Sequence, residues 1–191
     1  MPIPATATAL SLGGPFVLTS PTVADIEVPI TLPGDVHTAL LAAGRIPDPY
    51  WGENEKVVMW VNETAWSVER SFTAAASDLD GYLTLTLAEV DCIATILLNG
   101  EVVARTDNSF LRYDIDVTGK VREGNNHLRI EFAIAPDIAK ERADRHPFPI
   151  PFTKNYQTNG LKGIHMNFIR KAACHAGWDW GICTMPVGVY G

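Results

Sequence analysis

From Trp66 onward apolar and polar positions alternate. In "WSVERSF" Trp66, Val68, Arg70 and Phe72 fall on one side and Ser67, Glu69 and Ser71 on the other, the period of two that a half-buried strand requires. "YLTLTLA" (82–88) alternates in the same way, and "CIATILL" (92–98) is apolar enough to predict a buried strand. Asn99-Gly100 closes a tight hairpin into "EVVAR", because both residues tolerate the positive φ that such a turn needs. "FLRYDIDVT" (110–118) and "HLRIEFAI" (127–134) continue the pattern, with Gly124-Asn125-Asn126 turning between them. Many short antiparallel strands predict an all-β fold, a β-sandwich or jelly roll.

The flanking segments follow other rules. "FVLTS" (16–20) reads as a first strand. Pro33-Gly34 makes a turn, Asp35 caps a helix N-terminus, and "VHTALLAAG" places Val36, Leu40 and Ala43 on one face before Gly44 stops it. Residues 45–65 mix prolines, aromatics and charges without a period, which predicts a long ordered loop whose Tyr50, Trp51 and Trp60 plug a sheet edge. The tryptophans Trp51, Trp60 and Trp66 are assigned to packing. "PDIAKERADR" (136–145), with Asp137 at its start and Glu141/Arg145 at i, i+4, predicts a second short helix. Between Pro147 and Gly163 the order loosens, and no internal repeat is present. The expectation is a single sandwich domain over 1–191 with one or two short helices.

Charge narrows the partners. Fifteen basic residues against twenty-two acidic ones leave a net charge of -7, which opposes attraction to nucleic acid or an anionic membrane. No apolar run approaches the roughly 20 residues of a membrane span. The N-terminus lacks a basic n-region and carries early prolines, so it does not read as a signal peptide, and a cytoplasmic location is expected. Three cysteines, Cys92, Cys174 and Cys183, fit a reducing compartment better than a disulfide framework.

Most catalytic patterns are missing: no G-x-S-x-G, P-loop, G-x-G-x-x-G or H-E-x-x-H occurs. His165, Cys174, His175 and Cys183 make poor chelating geometry without a C-x-x-C knuckle, so no metal and no cofactor are expected. The carboxylate pairs Glu53/Glu55 and Asp114/Asp116 read as structural, the second facing solvent from one strand face. What remains is "GWDWG" (177–181). An aspartate between two tryptophans has the composition of a sugar subsite, aromatic faces for the pyranose C–H face and a carboxylate for its hydroxyls. The residues alone leave ligand contact and structural aromatic packing equally open.

A longer pattern carries a resemblance. "NFIRKAACHAGWDWG" (167–181) resembles the signature that ends the N-terminal domain of glycoside hydrolase family 2 β-mannosidases. "LPGDVHTALLAAGRIPDPYWGENE" (32–55) and "VDCIATILLNGEVVARTDNSFLRYDIDVTGKVREGNNHLRI" (90–130) are similar to the family's opening segment and strand series. Coverage runs from about residue 10 to the end. Two positions depart from the pattern: Ala176 stands where an aromatic is common, and Ile182 where proline is usual.

The resemblance implies a galactose-binding-like jelly-roll sandwich and retaining hydrolysis of terminal β-D-mannosyl residues. Two glutamates on a downstream α/β barrel flank the glycosidic bond in that chemistry. A barrel of about 250 residues does not fit in this chain, so an N-terminal fragment, inactive by itself, is expected, with the barrel and a β-mannoside or mannose-containing oligosaccharide as partners. Asp179 would bind hydroxyls of the terminal mannose and Trp178 would line the pocket beside it. Trp180 would pack the loop against its own sandwich, with Arg170 and Asn167 as further loop support. The other readings are a free-standing carbohydrate-binding module without catalysis, and a sandwich in which "GWDWG" only packs a terminus.

Overall fold

A computed structural model describes residues 9–150 and 165–191. The irregular stretch expected up to Gly163 lies, from residue 151 on, outside the described residues, as does the start of the N-terminal segment. The strands run β1 (Gly14–Thr19), β2 (Glu27–Leu32), β3 (Gly34–Asp35), β4 (Trp66–Ala74), β5 (Thr84–Leu87), β6 (Val90–Asp91), β7 (Ala94–Leu98), β8 (Glu101–Thr106), β9 (Tyr113–Asp116), β10 (Gly124–Phe132) and β11 (Gly188–Val189). The helices are α1 (Val36–Ala42), α2 (Asn54–Val57) and α3 (Ala135–Asp144).

A six-stranded antiparallel sheet has the order β2-β1-β4-β10-β7-β8. Two small antiparallel sheets, β3-β11-β6 and β5-β9, supply apolar side chains to the same core. Alternation decides which face turns inward. In β1 Phe16 and Leu18 are buried, in β2 Val28, Ile30 and Leu32, and in β10 Leu128, Ile130 and Phe132. Leu87, Val90, Ile115 and Val189 meet them from the small sheets. This is the all-β sandwich that the alternation predicts. Pro29 lacks an N–H and stands on β2, at the edge of the large sheet, where no ladder donor is needed.

Local chemistry fixes the corners. Asn99 and Gly100 both adopt positive φ, 54° and 83°, and turn β7 into β8. Asn126 does not turn, as the spacing had suggested, but lies within β10. Its fully buried amide accepts from Arg122 N and Asn99 Nδ2 and donates to Arg122 O and Gly124 O. A buried amide left unpaired would be costly, so these bonds pull Gly124 to Asn126 into register with β4. Asp35 caps α1 as expected, accepting from Thr38 N at 3.0 Å. The 45–65 segment holds more structure than its composition predicts: α2 and a 3-10 turn at Met59–Glu63. Trp66 is 1% exposed and Trp60 packs on the same core, but Trp51 stands 77% exposed and Tyr50 79%.

A second, smaller core positions the C-terminal segment. Cys92, Ala135, Ala139, Ile169, Ala176, Cys183 and Met185 cluster there, with Met59, Ile93 and Met166 against them. Ala176, where the family pattern favours an aromatic, is thus a buried member of this cluster. After it the chain returns as β11, between β3 and β6. Gly188 has to be glycine there, because a Cβ would stand 2.3 Å from Gly34 O and 2.9 Å from Asp35 Cα.

Candidate functional site

Residues 172–185 form a narrow hairpin whose base is packed in the second core and whose tip is exposed. Ala176 bridges Cys183 across it, and Met185 N donates to His175 O at 2.9 Å nearer its base. Trp178 N donates to Gly181 O at 2.8 Å, which leaves Asp179 and Trp180 as the two residues of the tip. Gly177 takes φ 92°, a conformation that an L side chain would strain, and so lets the strand swing outward just before Trp178.

The tip is open to solvent. Asp179 is exposed and its carboxylate makes no ion pair among the described residues. Trp178 is 38% and Trp180 73% exposed, their ring centroids 6.3 Å apart at 40°. Trp180 therefore meets Trp178 and turns most of its surface outward. The tip thus combines exposed aromatic faces with an exposed carboxylate, an apolar surface and a hydrogen-bond acceptor within three consecutive residues.

The base of the hairpin is polar and buried. Lys171 Nζ, on a side chain 1% exposed, donates to Asp91 Oδ2 and to Pro186 O. One ammonium thus joins the chain before the hairpin, strand β6 and the chain after it. His175 Nδ1 lies 3.5 Å from the same Asp91 oxygen. His37, at the start of α1, is buried nearby with neither ring nitrogen hydrogen-bonded among the described residues. Burial pushes its pKa down to about 4, against the pull of Asp35 and aided by the Lys171 charge. Burial also raises the Tyr190 phenol, helped by the charges of Asp35, Asp91 and Glu89.

Further contacts hold the flanks. Cys183 N donates to Glu55 Oε1 at 2.7 Å and Asn62 Nδ2 to Cys183 O at 3.4 Å. Arg170 is exposed; its carbonyl accepts from Ser109 N and Ser109 Oγ, so its backbone secures the segment. Asn167 is exposed in the 3-10 turn Met166–Phe168, and Arg142 Nη1 donates to the neighbouring Phe168 O at 3.1 Å. The structure thus brings Trp178, Asp179 and Trp180 together at the tip and leaves Arg170 and Asn167 along the approach. Lys171, Asp91, Glu55 and His37 were not singled out from sequence as site residues. The "RK" pair and the "NE" of 54–55 were the visible signals, but their partners lie 80 and 128 positions away. Among the described residues no group of three or more His, Cys, Asp or Glu side chains could hold a metal ion.

Comparisons with known proteins place the chain in a family. A family model described as glycosyl hydrolase 2 galactose-binding domain-like matches residues 17–191, and the chain belongs to that family. A probable beta-mannosidase of Caenorhabditis elegans is 35% identical over 162 residues, 83% of this chain and 18% of the relative. A beta-mannosidase of Rattus norvegicus is 33% identical over 168 residues, 86% of this chain and 19% of the relative. Among solved structures, a beta-D-mannosidase from Dictyoglomus thermophilum matches with a TM-score of 0.85 at 29% identity, covering 95% of this chain and 22% of that one. The chain spans about a fifth of the length of the curated relatives it matches.

Proposed function

We propose that this chain is the N-terminal sugar-binding domain of a retaining β-mannosidase, and that its Trp178-Asp179-Trp180 hairpin forms one wall of the subsite for the terminal mannose. The observation that carries the reading is the exposed Asp179, flanked in sequence by Trp178 and Trp180 at the tip of a hairpin whose base is buried and ion-paired. A carboxylate in that place accepts hydrogen bonds from sugar hydroxyls, and Trp178 offers an apolar face beside it. The two glutamates that retaining hydrolysis needs lie outside these 191 residues in this reading, on a barrel to which the hairpin points. The 191-residue chain alone is then inactive.

The test is hydrolysis of 4-nitrophenyl β-D-mannoside by the complete polypeptide that carries this domain, beside the 191-residue chain and the Asp179→Ala variant. The complete polypeptide is expected to turn over and the short chain is not. Losing a charge-assisted hydrogen bond in the subsite lowers kcat/KM about 10- to 100-fold, with thermal stability unchanged because Asp179 is exposed. Full activity of Asp179→Ala, or mannose binding by the short chain without any hydrolysis by the long one, contradicts the proposal.

A further inference from the structure

The hairpin is steered from outside itself. α2 carries two glutamates, Glu53 at its N-cap and Glu55 in its first turn. Glu53 turns to solvent and pairs with Lys56 at 2.7 Å. Glu55 turns the other way, because positions two apart on a helix do not share a face. Its Oε1 accepts the backbone N–H of Cys183, the residue that bridges Ala176 across the hairpin. The same proximity acts on the buried Cys183 thiol, whose pKa is pushed up to about 12 by burial and then by the Glu55 charge.

The hairpin works as a lever. From Ala176, which pairs with Cys183, to Asp179 at the tip is three residues, a reach of at most about 10 Å. A tilt of roughly 5° at Cys183 therefore moves the tip by about 1 Å, a displacement that costs on the order of 100-fold in rate when it misplaces a group at a reacting substrate. The Lys171 clamp fixes where the hairpin starts, whereas the bond to Glu55 lies partway along it and fixes its slope.

Resting on the reading of Asp179 as a mannose ligand, we infer that Glu55 is a positioning residue for the same reaction: by accepting the Cys183 N–H it sets the tilt of the hairpin and so the place of the Asp179 carboxylate. Glu55 needs no contact with substrate for this. What the role requires is an acceptor oxygen at that reach, and a negative charge is not essential to it.

The experiment compares Glu55→Ala, Glu55→Gln and Asp179→Ala in the complete polypeptide on 4-nitrophenyl β-D-mannoside, with amide exchange at Cys183 and thermal melting alongside. Glu55→Ala is expected to lower kcat/KM by about tenfold or more, to speed exchange at Cys183, and to melt within a few degrees of the parent. Glu55→Gln restores most of the activity, because its amide oxygen accepts the same N–H. If Glu55→Ala keeps parental kcat/KM while Asp179→Ala is impaired, the positioning role is overturned and the sugar-ligand reading stands. If Asp179→Ala is itself fully active, the reading falls and the inference with it. If Glu55→Ala and Glu55→Gln lose activity equally, and only in step with lost folded protein, Glu55 is a stability contact and the inference is overturned.

Discussion

The sandwich and the hairpin are held by different physics. In the sandwich, Leu18, Trp66, Ile96, Leu128 and Ile130 are all but sealed from solvent, and the apolar area they bury is non-directional. The hairpin sits on the smaller second core, into which it sends Ala176, Cys183 and Met185, and is held besides by directed contacts: Lys171 to Asp91 and Pro186, Glu55 and Asn62 to Cys183. Buried area makes the sandwich stable and tolerant of small shifts. Directed contacts make the hairpin's position specific and easily disturbed, the arrangement suited to presenting one carboxylate.

The sharpest way to break the comparison is to attack each region where it is strongest. Trp66→Ala empties the centre of the large core and orphans Val61 O, which now accepts from Trp66 Nε1 at 3.0 Å. It is expected to cost about 3–5 kcal/mol in urea unfolding, with every probe of structure lost together.

Lys171→Met comes next. It leaves the Asp91 carboxylate buried without its ammonium partner, for roughly 3 kcal/mol. Adding Asp91→Leu to it removes the stranded charge and is expected to recover most of that stability, while mannoside turnover in the complete polypeptide stays low because the base of the hairpin is no longer tied to Pro186. Recovery of both stability and turnover would show that the polar base serves stability alone.

The smallest effect is set by pH. An unfolded histidine titrates near 6.5, but His37 in the fold is held down to about 4 by burial, against Asp35 and aided by Lys171. As pH falls through this interval the unfolded chain takes up a proton that the folded one refuses. Stability present above about pH 6.5 is therefore lost progressively toward pH 4, by up to about 3 kcal/mol. His37→Leu should flatten that part of the curve in urea titrations at pH 7 and 4.5. An unchanged slope would mean that His37 does not carry the acid sensitivity.

The sandwich was largely legible in sequence because its rules are local. Alternation marked β4 and β5, Asn99-Gly100 marked a hairpin, and Asp35 marked the start of α1. What was hidden depends on partners far along the chain. The order β2-β1-β4-β10-β7-β8 is a matter of long-range pairing, and Asn126 reads as a turn residue until its amide is seen to be satisfied by Arg122, Gly124 and Asn99. In the site, the tip was legible because Trp178-Asp179-Trp180 is contiguous. Its support was not, because nothing local distinguishes a Lys171 that sinks onto Asp91 from the Arg170 beside it that meets solvent. Trp51 shows the reverse: its residue type suggested packing, and it is exposed in this domain.

The most direct measurement is a crystal structure of the complete polypeptide with a mannose-configured inhibitor bound. The expected result places the Asp179 carboxylate within about 3 Å of hydroxyls of the terminal sugar ring, with the Trp178 indole against the ring and the Glu55 to Cys183 bond intact. A terminal sugar bound away from the hairpin, with Asp179 still in solvent, would contradict the assignment of this loop to the mannose subsite.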